Sequence, residues 1–393
     1  MDERKYVDAV MQDIAQRKRD FEGKVADVRL VLAELSLDGA VLRYSHNFAW
    51  LTGGARSFIN MAVDVGVGSI YVDATQVVLL TNEIEGHRLI NEELNGLQDV
   101  IKLHEDPWYD ASDPLELGKK LAGSERVAAD TGHAALDAKI SALRVTLTEY
   151  ERALYHALGR DCGRVIAEVA RAIRPSMTEF EIAAQLAEKT WAAGVTPIVL
   201  LVAADERVDA IRHPLPTPKR VKNKVMLVLC GRRAGLVLSV TRMVYITTAP
   251  GAAVPAELLR RHEAATFVDA AVIAKTRPGV IARDLFAAVQ SAYRERGFDG
   301  EWKLHHQGGA AGYLSREWIA NPTLERVVGV NQAFAWNPSV TGTKSEDTVL
   351  LTAAADGAGF THEVLSASPG WPVIEHTIDG VTVARPAILH LAF

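Results

Sequence analysis

Residues 305–317 read His-His-Gln-Gly-Gly-Ala-Ala-Gly-Tyr-Leu-Ser-Arg-Glu. Two adjacent imidazoles can move protons near neutrality. The glycines let backbone approach a ligand closely, and such a segment costs stability unless something is bound there. A third imidazole, His213, stands before Pro214-Leu215-Pro216-Thr217, a rigid turn that would fix it at a sheet edge. With an ordinary pKa near ~6.5, it can take a proton from water and return it to a leaving nitrogen. One carboxylate, Glu346 in Ser345-Glu346-Asp347-Thr348, could orient His213 or bind a cationic group, or could serve a structural network.

Each further candidate has two readings. If 305–307 is a strand, His305 and His306 face opposite ways and only one meets the site; His306 is slightly favoured. Gln307 offers an amide to a ligand, or belongs to a glycine-rich turn. Arg316 could grip a substrate carboxylate with a bidentate fork, or pair with Glu317 or Glu346. Asn337 could hydrogen-bond a substrate without attracting a metal, and Trp336 is a core residue or an aromatic wall. Cys230 reads as packing on a buried strand, and Arg232 and Arg233 as the solvated end of a hairpin.

The elements that must position these groups are of α/β type. Helical pattern covers the opening 24 residues and 27–35, and strands are expected at 39–43, 69–72, 77–80 and 126–129, with a polar helix over 82–95. A first unit closes near residue 142, giving domains 1–142 and 143–393. Thr148 and Glu151 form a capping box at the head of a long helix, and a second capped helix follows Thr178. Residues 174–194 match 277–297: both begin Arg-Pro, carry an amphipathic helix and stop at a glycine. This weak repeat predicts two related αβ halves about a pseudo-two-fold axis, with a ligand cleft between their sheets.

Composition narrows the function classes. The 393 residues are 48% hydrophobic and 23% charged, with 43 basic and 49 acidic side chains for a net charge of −6. No basic cluster interleaved with aromatics appears, which argues against nucleic acid and for a small-molecule substrate. Two cysteines do not make a disulfide framework. With no apolar run near ~18 residues and no signal-peptide pattern, the expected location is the cytoplasm, away from membranes.

His213-Pro214, the Thr241-Arg242 pair, residues 308–317 and 345–348 occur in the order that resembles the pita-bread enzymes: methionine and Xaa-Pro aminopeptidases, prolidase and creatinase. Asn47-Phe48-Ala49-Trp50-Leu51-Thr52-Gly53 is similar to the N-terminal domain motif of the Xaa-Pro and creatinase branch. The resemblance implies an N-terminal creatinase/prolidase-type α/β domain and a C-terminal pita-bread domain. Metal-dependent members hold two cations with two Asp, one His and two Glu. The corresponding places here fall in the strand 227–230, at Ser239, at Gly309 and at Asn337; Glu346 alone survives. One carboxylate cannot hold two ions. No metal and no cofactor are therefore expected.

What remains resembles the creatinase-like branch, which includes ectoine hydrolase and cleaves C–N bonds of small polar molecules without metal. The resemblance implies that His213 is the acid/base and that Glu346 helps to bind the substrate; His306, which creatinase does not share, could meet developing charge, so that His213, His306 and Glu346 are the catalytic candidates. Arg316, Gln307, Asn337, Trp336 and His305 are additions not shared with creatinase that point to an anionic or amide-bearing ligand, and with Arg242 they make the candidate binding set. Thr241 stands where creatinase has a carboxylate, which argues against creatine. In creatinase-like homodimers one N-terminal domain closes the partner's site, a role that falls here to Arg56 and Phe58. Two other readings stay open: an inactive binding protein on the same fold, and a divergent Xaa-Pro peptidase using one metal on His305, His306 and Glu346.

Overall fold

The structure, a computed structural model, describes residues 13–354 and 359–393. The start of the expected opening helix lies outside them. The chain divides into one compact unit that runs to Leu154 and includes Ala234–Leu236, and a second made of Tyr155–Arg233 and Val237–Phe393.

In the first unit a single helix, α1 (Ile14–Glu34), replaces the two helical segments expected. Gly23 does not interrupt it, and the Asp13 carboxylate caps its start by accepting from the Gln16 amide at 2.8 Å. The strands β1 (Gly39–Tyr44), β2 (Val65–Asp73), β3 (Val77–Asn82), β4 (Lys102–Asp106) and β5 (Val127–Ala129) form one mixed sheet in the order β4-β3-β2-β1-β5. β4, Lys-Leu-His-Glu-Asp, pairs parallel to β3 at an edge. Its charged side chains carry no alternation, so nothing in its pattern announces a strand. The helix expected over 82–95 is broken into the turns Gly86–Arg88 and Leu89–Glu93. Asn47, fully buried on the helix α2 (Ser45–Leu51), donates to Asp130 at 2.9 Å and accepts from Arg144. The motif around it therefore ties the sheet to later chain.

The second unit shows the repeat at the level of hydrogen bonds. After the long helix α3 (Glu149–Ala172), headed by the expected Thr148–Glu151 box, comes α4 (Glu179–Ala192), capped by the Thr178–Glu181 box. Strands β6 (Thr196–Ala204), β7 (Lys224–Arg233) and β8 (Leu236–Thr247) follow. The helix pair then recurs as α5 (Ala256–Lys275) and α6 (Ala282–Glu295). Both shorter helices are followed by a left-handed glycine, Gly194 at φ +70° and Gly297 at φ +74°. Ahead of α4, Val221 N donates to Met177 O; ahead of α6, Val328 N donates to Val280 O, each at 2.8 Å. The second copy has lost its cap, since Ile281 offers no side-chain acceptor.

Four strands, β9 (Gly308–Ala311), β10 (Gln332–Trp336), β13 (Asp347–Ala353) and β14 (Phe360–Val364), form an antiparallel sheet ordered β14-β13-β10-β9. Short pairs β11 (Ser339–Val340) with β12 (Thr343–Lys344), and β15 (Val373–Ile378) with β16 (Val381–Pro386), accompany it. The last strand, β17 (Leu389–Ala392), joins the other sheet in the order β17-β8-β7-β6. β7 and β8 are buried along most of their length, as expected of strands covered on both faces.

A buried ionic network fixes the start of β13. Arg385, with no exposed surface, donates to Asp269 at 2.8 Å and to Asp347 at 2.6 Å. Arg242 meets the other oxygen of Asp347 at 2.9 Å, and Ser345 donates to Asp269 at 2.5 Å. Glu346 is thus flanked on both sides by residues whose side chains are held. Removing one member of such a network strands a buried charge at a cost of about 3–5 kcal/mol. Arg385→Met is expected to lower unfolding free energy by about that amount in urea titration; a loss of under about 1 kcal/mol would show the network to be dispensable.

Candidate active site

Two anchors bring distant histidines together. The loop carrying His213 follows the helical turn Glu206–Ala210 and is pinned by the fully buried Glu179, whose Oε2 accepts from Thr217 Oγ1 at 2.6 Å and from Arg207 at 2.7 Å. Arg207 also donates to Leu215 O at 2.9 Å. Next to His213, Arg212 pairs with Glu301 at 2.8 Å. Glu301 opens the 3-10 turn Glu301–Leu304 that delivers His305. Neither Arg212 nor Glu301 stands out in the sequence, because the two lie 89 positions apart.

His213 Nε2 and His305 Nε2 are 2.9 Å apart. The protons can be assigned from the partners. His305 Nδ1 lies 2.6 Å from the carbonyl oxygen of His306. A carbonyl only accepts, so Nδ1 carries the hydrogen. Burial, reinforced by Lys344 and the two neighbouring imidazoles, pushes His305 down to about 3, so it is neutral at pH 7. Its Nε2 is then an acceptor, and His213 must donate from Nε2. The lone pair of His213 consequently sits on Nδ1. Burial and Lys344 also lower the His213 pKa, with Glu346 opposing them.

The segment 305–307 is irregular, so the opposite-face rule for strands does not apply. The rings of His305 and His306 stack at 4.4 Å and 26°, and both lie near His213, at 4.8 and 6.2 Å between centroids. His305 makes the direct contact, although His306 was slightly favoured from sequence. His306 is pushed down to about 4 by burial and by Arg316, and its buried Nδ1 has no hydrogen-bond partner among the described residues.

Glu346 forms the second half of the site. Burial would raise its carboxyl, but Lys344 and Arg316 overcome that and hold it at about 2. Lys344 Nζ lies 2.7 Å from Oε2 and Arg316 Nη2 lies 3.1 Å from Oε1, while Thr241 Oγ1 donates to Oε2 at 2.6 Å. Arg316 also donates to Ser239 Oγ at 3.2 Å. Arg316 therefore takes the internal partner Glu346, its alternative reading. Lys344 escaped sequence reading. In extended chain, residue i−2 shares a face with residue i, and a lysine two before the surviving glutamate was the signal to use.

The other candidates separate. Gln307 is buried and its amide is committed to Tyr293 at 3.0 Å, Trp302 O at 3.3 Å and His305 O at 2.5 Å, so it braces the histidine segment. Trp336 has no exposed surface and stacks on Phe334, which makes it core. Arg242 is consumed by Asp347, Ser366 and Ser368. Asn337 is buried, and its Oδ1 has no partner among the described residues. The Cys230 thiol is raised by burial and lies 3.3 Å from Ser239 Oγ, which fits packing. Arg233 is not solvated: it is buried against Asp161 at 2.7 Å. In the first unit, exposed Arg56 pairs with Glu93 at 2.7 Å, and Phe58 is half-buried.

A dinuclear metal centre does not fit this donor set. Both oxygens of Glu346 are taken by chain cations. At Gly309 a Cβ would stand 2.0 Å from Trp318 O, so no side chain can reach inward from that backbone. Ser239 and Asn337 supply neutral groups where two charged carboxylates would be needed.

The model of Metallopeptidase family M24 matches residues 153–365. No curated protein matches the chain in sequence. Among solved structures it is similar to dipeptidase PepE from Mycobacterium ulcerans, at 18% identity and TM-score 0.73, over 97% of this chain and 99% of that one. An Xaa-Pro dipeptidase from Bacillus anthracis aligns at 16% identity and TM-score 0.71, over 94% and 100%. The N-terminal domain of FACT complex subunit SPT16 from Cicer arietinum, chickpea, aligns at 14% and 0.61, over 90% and 96%. These likenesses establish the fold. With the match spanning more than half its length, the chain belongs to Metallopeptidase family M24, and its C-terminal unit is the pita-bread domain of that family.

Proposed function

We propose that the protein is a metal-independent, creatinase-like hydrolase of a non-peptide C–N bond in a small polar metabolite. The observation that carries this reading is the neutral His213–His305 pair beside a carboxylate already neutralised by Lys344 and Arg316. His213 Nδ1 takes a proton from water as the water oxygen bonds to the carbon. The C–N bond then breaks and the same proton passes to the departing nitrogen. His305 accepts the Nε2 hydrogen of His213 throughout and passes the polarisation to the His306 carbonyl, which stabilises the imidazolium. Two cations against one carboxylate leave the site with an excess positive charge, which supports a substrate bearing a carboxylate and stabilises negative charge that develops at the attacked carbon. Gln307 drops out of that role because its amide is spent.

Binding without catalysis is the competing reading, because a fold does not by itself fix a function. His213→Ala separates the two. With a panel of small carboxylated amides, ureas and amidines, it is expected to lower turnover by about 10²–10⁴ with the fold intact. Equal turnover in wild type and variant would remove His213 as the base, and no turnover of any of these compounds by the wild type would leave binding as the better reading.

Proton NMR titration of the His213 ring checks the electrostatics without a substrate. The midpoint is expected below 6.5, because burial and Lys344 disfavour the cation. Lys344→Met removes one of these causes, so the midpoint should move upward; a downward move would contradict the assignment.

A homodimer is also proposed. Exposed Ile59, Met61, Val63, Val65 and Val67 follow Arg56 and Phe58 in the chain, an apolar run that favours cover by another surface. Light scattering at micromolar concentration should give twice the chain mass, and a monomer would refute the proposal. Cytoplasmic placement is supported by two free buried thiols, Cys162 and Cys230. No helix of the described residues is long and apolar enough to cross a membrane.

A further inference from the structure

We propose that His213, His305 and His306 form a binding site for one borderline divalent transition-metal ion of the zinc class, built on none of the five positions of the family's dinuclear centre. One donor nitrogen from each of the three rings lies within 4.8 Å of the other two. Metal–nitrogen bonds of about 2.0–2.1 Å put two ligands of a tetrahedral ion roughly 3.3 Å apart. The 2.9 Å His213–His305 separation must therefore open slightly, and the wider gaps must close by ring rotation. The buried Nδ1 of His306, which has no hydrogen-bond partner among the described residues, does not oppose that rotation.

The second observation is the support behind His305. Metal-binding histidines nearly always donate the other ring hydrogen to a carbonyl or carboxylate, which fixes the tautomer and aims the lone pair. His305 Nδ1 already does this to the His306 carbonyl at 2.6 Å, leaving Nε2 as the ligand atom. The chain also holds His213 from the other side, through the Arg212–Glu301 and Glu179 anchors. The hydrogen now shared between the two Nε2 atoms marks the place a cation would take.

Ligand chemistry selects the ion. Three imidazoles without a carboxylate or thiolate favour zinc, copper, nickel or cobalt over magnesium, calcium or manganese. Lys344 and Arg316 oppose any cation nearby, and Glu346 offsets only part of this, so binding is weaker than at a carboxylate-rich centre. Three protein ligands leave a fourth position for water. On the hydrolase reading above, an ion here would occupy the His213–His305 pair and inhibit; the binding itself does not depend on that reading.

The test uses the untagged full chain, stripped with chelator and dialysed against micromolar free zinc. Elemental analysis should find one zinc per chain in wild type, with magnesium and calcium failing to displace it. His306→Gln and His305→Gln should each lose the ion while keeping the wild-type circular dichroism and melting midpoint. If His305→Gln does not fold, His306→Gln carries the comparison. Cobalt in wild type should give the intense visible bands of a four-coordinate ion. Absence of zinc uptake overturns the proposal, as does uptake undiminished in His306→Gln or a pale six-coordinate cobalt spectrum.

Discussion

A carboxylate withdrawn from water must meet positive charge, and the second unit is arranged around that requirement at Glu346. The family's donor pattern would supply the charge as ions. This chain supplies it as an ammonium and a guanidinium, Lys344 and Arg316, each within salt-bridge distance of a different carboxylate oxygen. The substitution has structural consequences further out. Protein cations are tethered, so their backbones must be held; the Arg385–Asp347–Arg242 network grips the residue following Glu346, and Asp269 grips the one before it. Such buried pairs are weak contributors to net stability but strong determinants of geometry.

The same cations set the protonation of the histidines. Burial and then the positive neighbours disfavour the charged form of all three imidazoles, holding His305 near 3 and His306 near 4 and lowering His213. Neutral rings must each choose a tautomer, and the choice is dictated at one end by a carbonyl that can only accept. Charge and hydrogen bonding thus agree on a single arrangement in which the lone pair of His213 sits on Nδ1. A protonated pair could not make the 2.9 Å contact without placing two N–H groups face to face.

Much of the fold was legible because it rests on local signals. Both capping boxes announce helices, the two Arg-Pro to Gly segments become matched helices with matched left-handed glycines, and the apolar strands lie where alternation or continuous burial places them. β4 was missed because an edge strand of charged residues has no hydrophobic period. At the site, His213 and Glu346 were singled out through the family resemblance, and Arg316 with two readings, of which the pairing with Glu346 is the one the structure has. The meeting of His213 with His305 was not legible, being a contact across 92 positions delivered by an Arg212–Glu301 pair of ordinary appearance. Lys344 was overlooked although period-two geometry marks it.

The backbone at Gly309 bears on the history of this site. β9 lies so close to the chain at Trp318 that a single added carbon there would overlap its carbonyl oxygen. A histidine introduced there by a single substitution would have no room, because the chain at Trp318 fills the volume it would need. Restoring a dinuclear centre would also require removing Lys344 and Arg316, each of which is destabilising while Glu346 remains buried and the ions are not yet bound. Stepwise changes toward a two-ion donor set would therefore pass through intermediates less stable than the present arrangement.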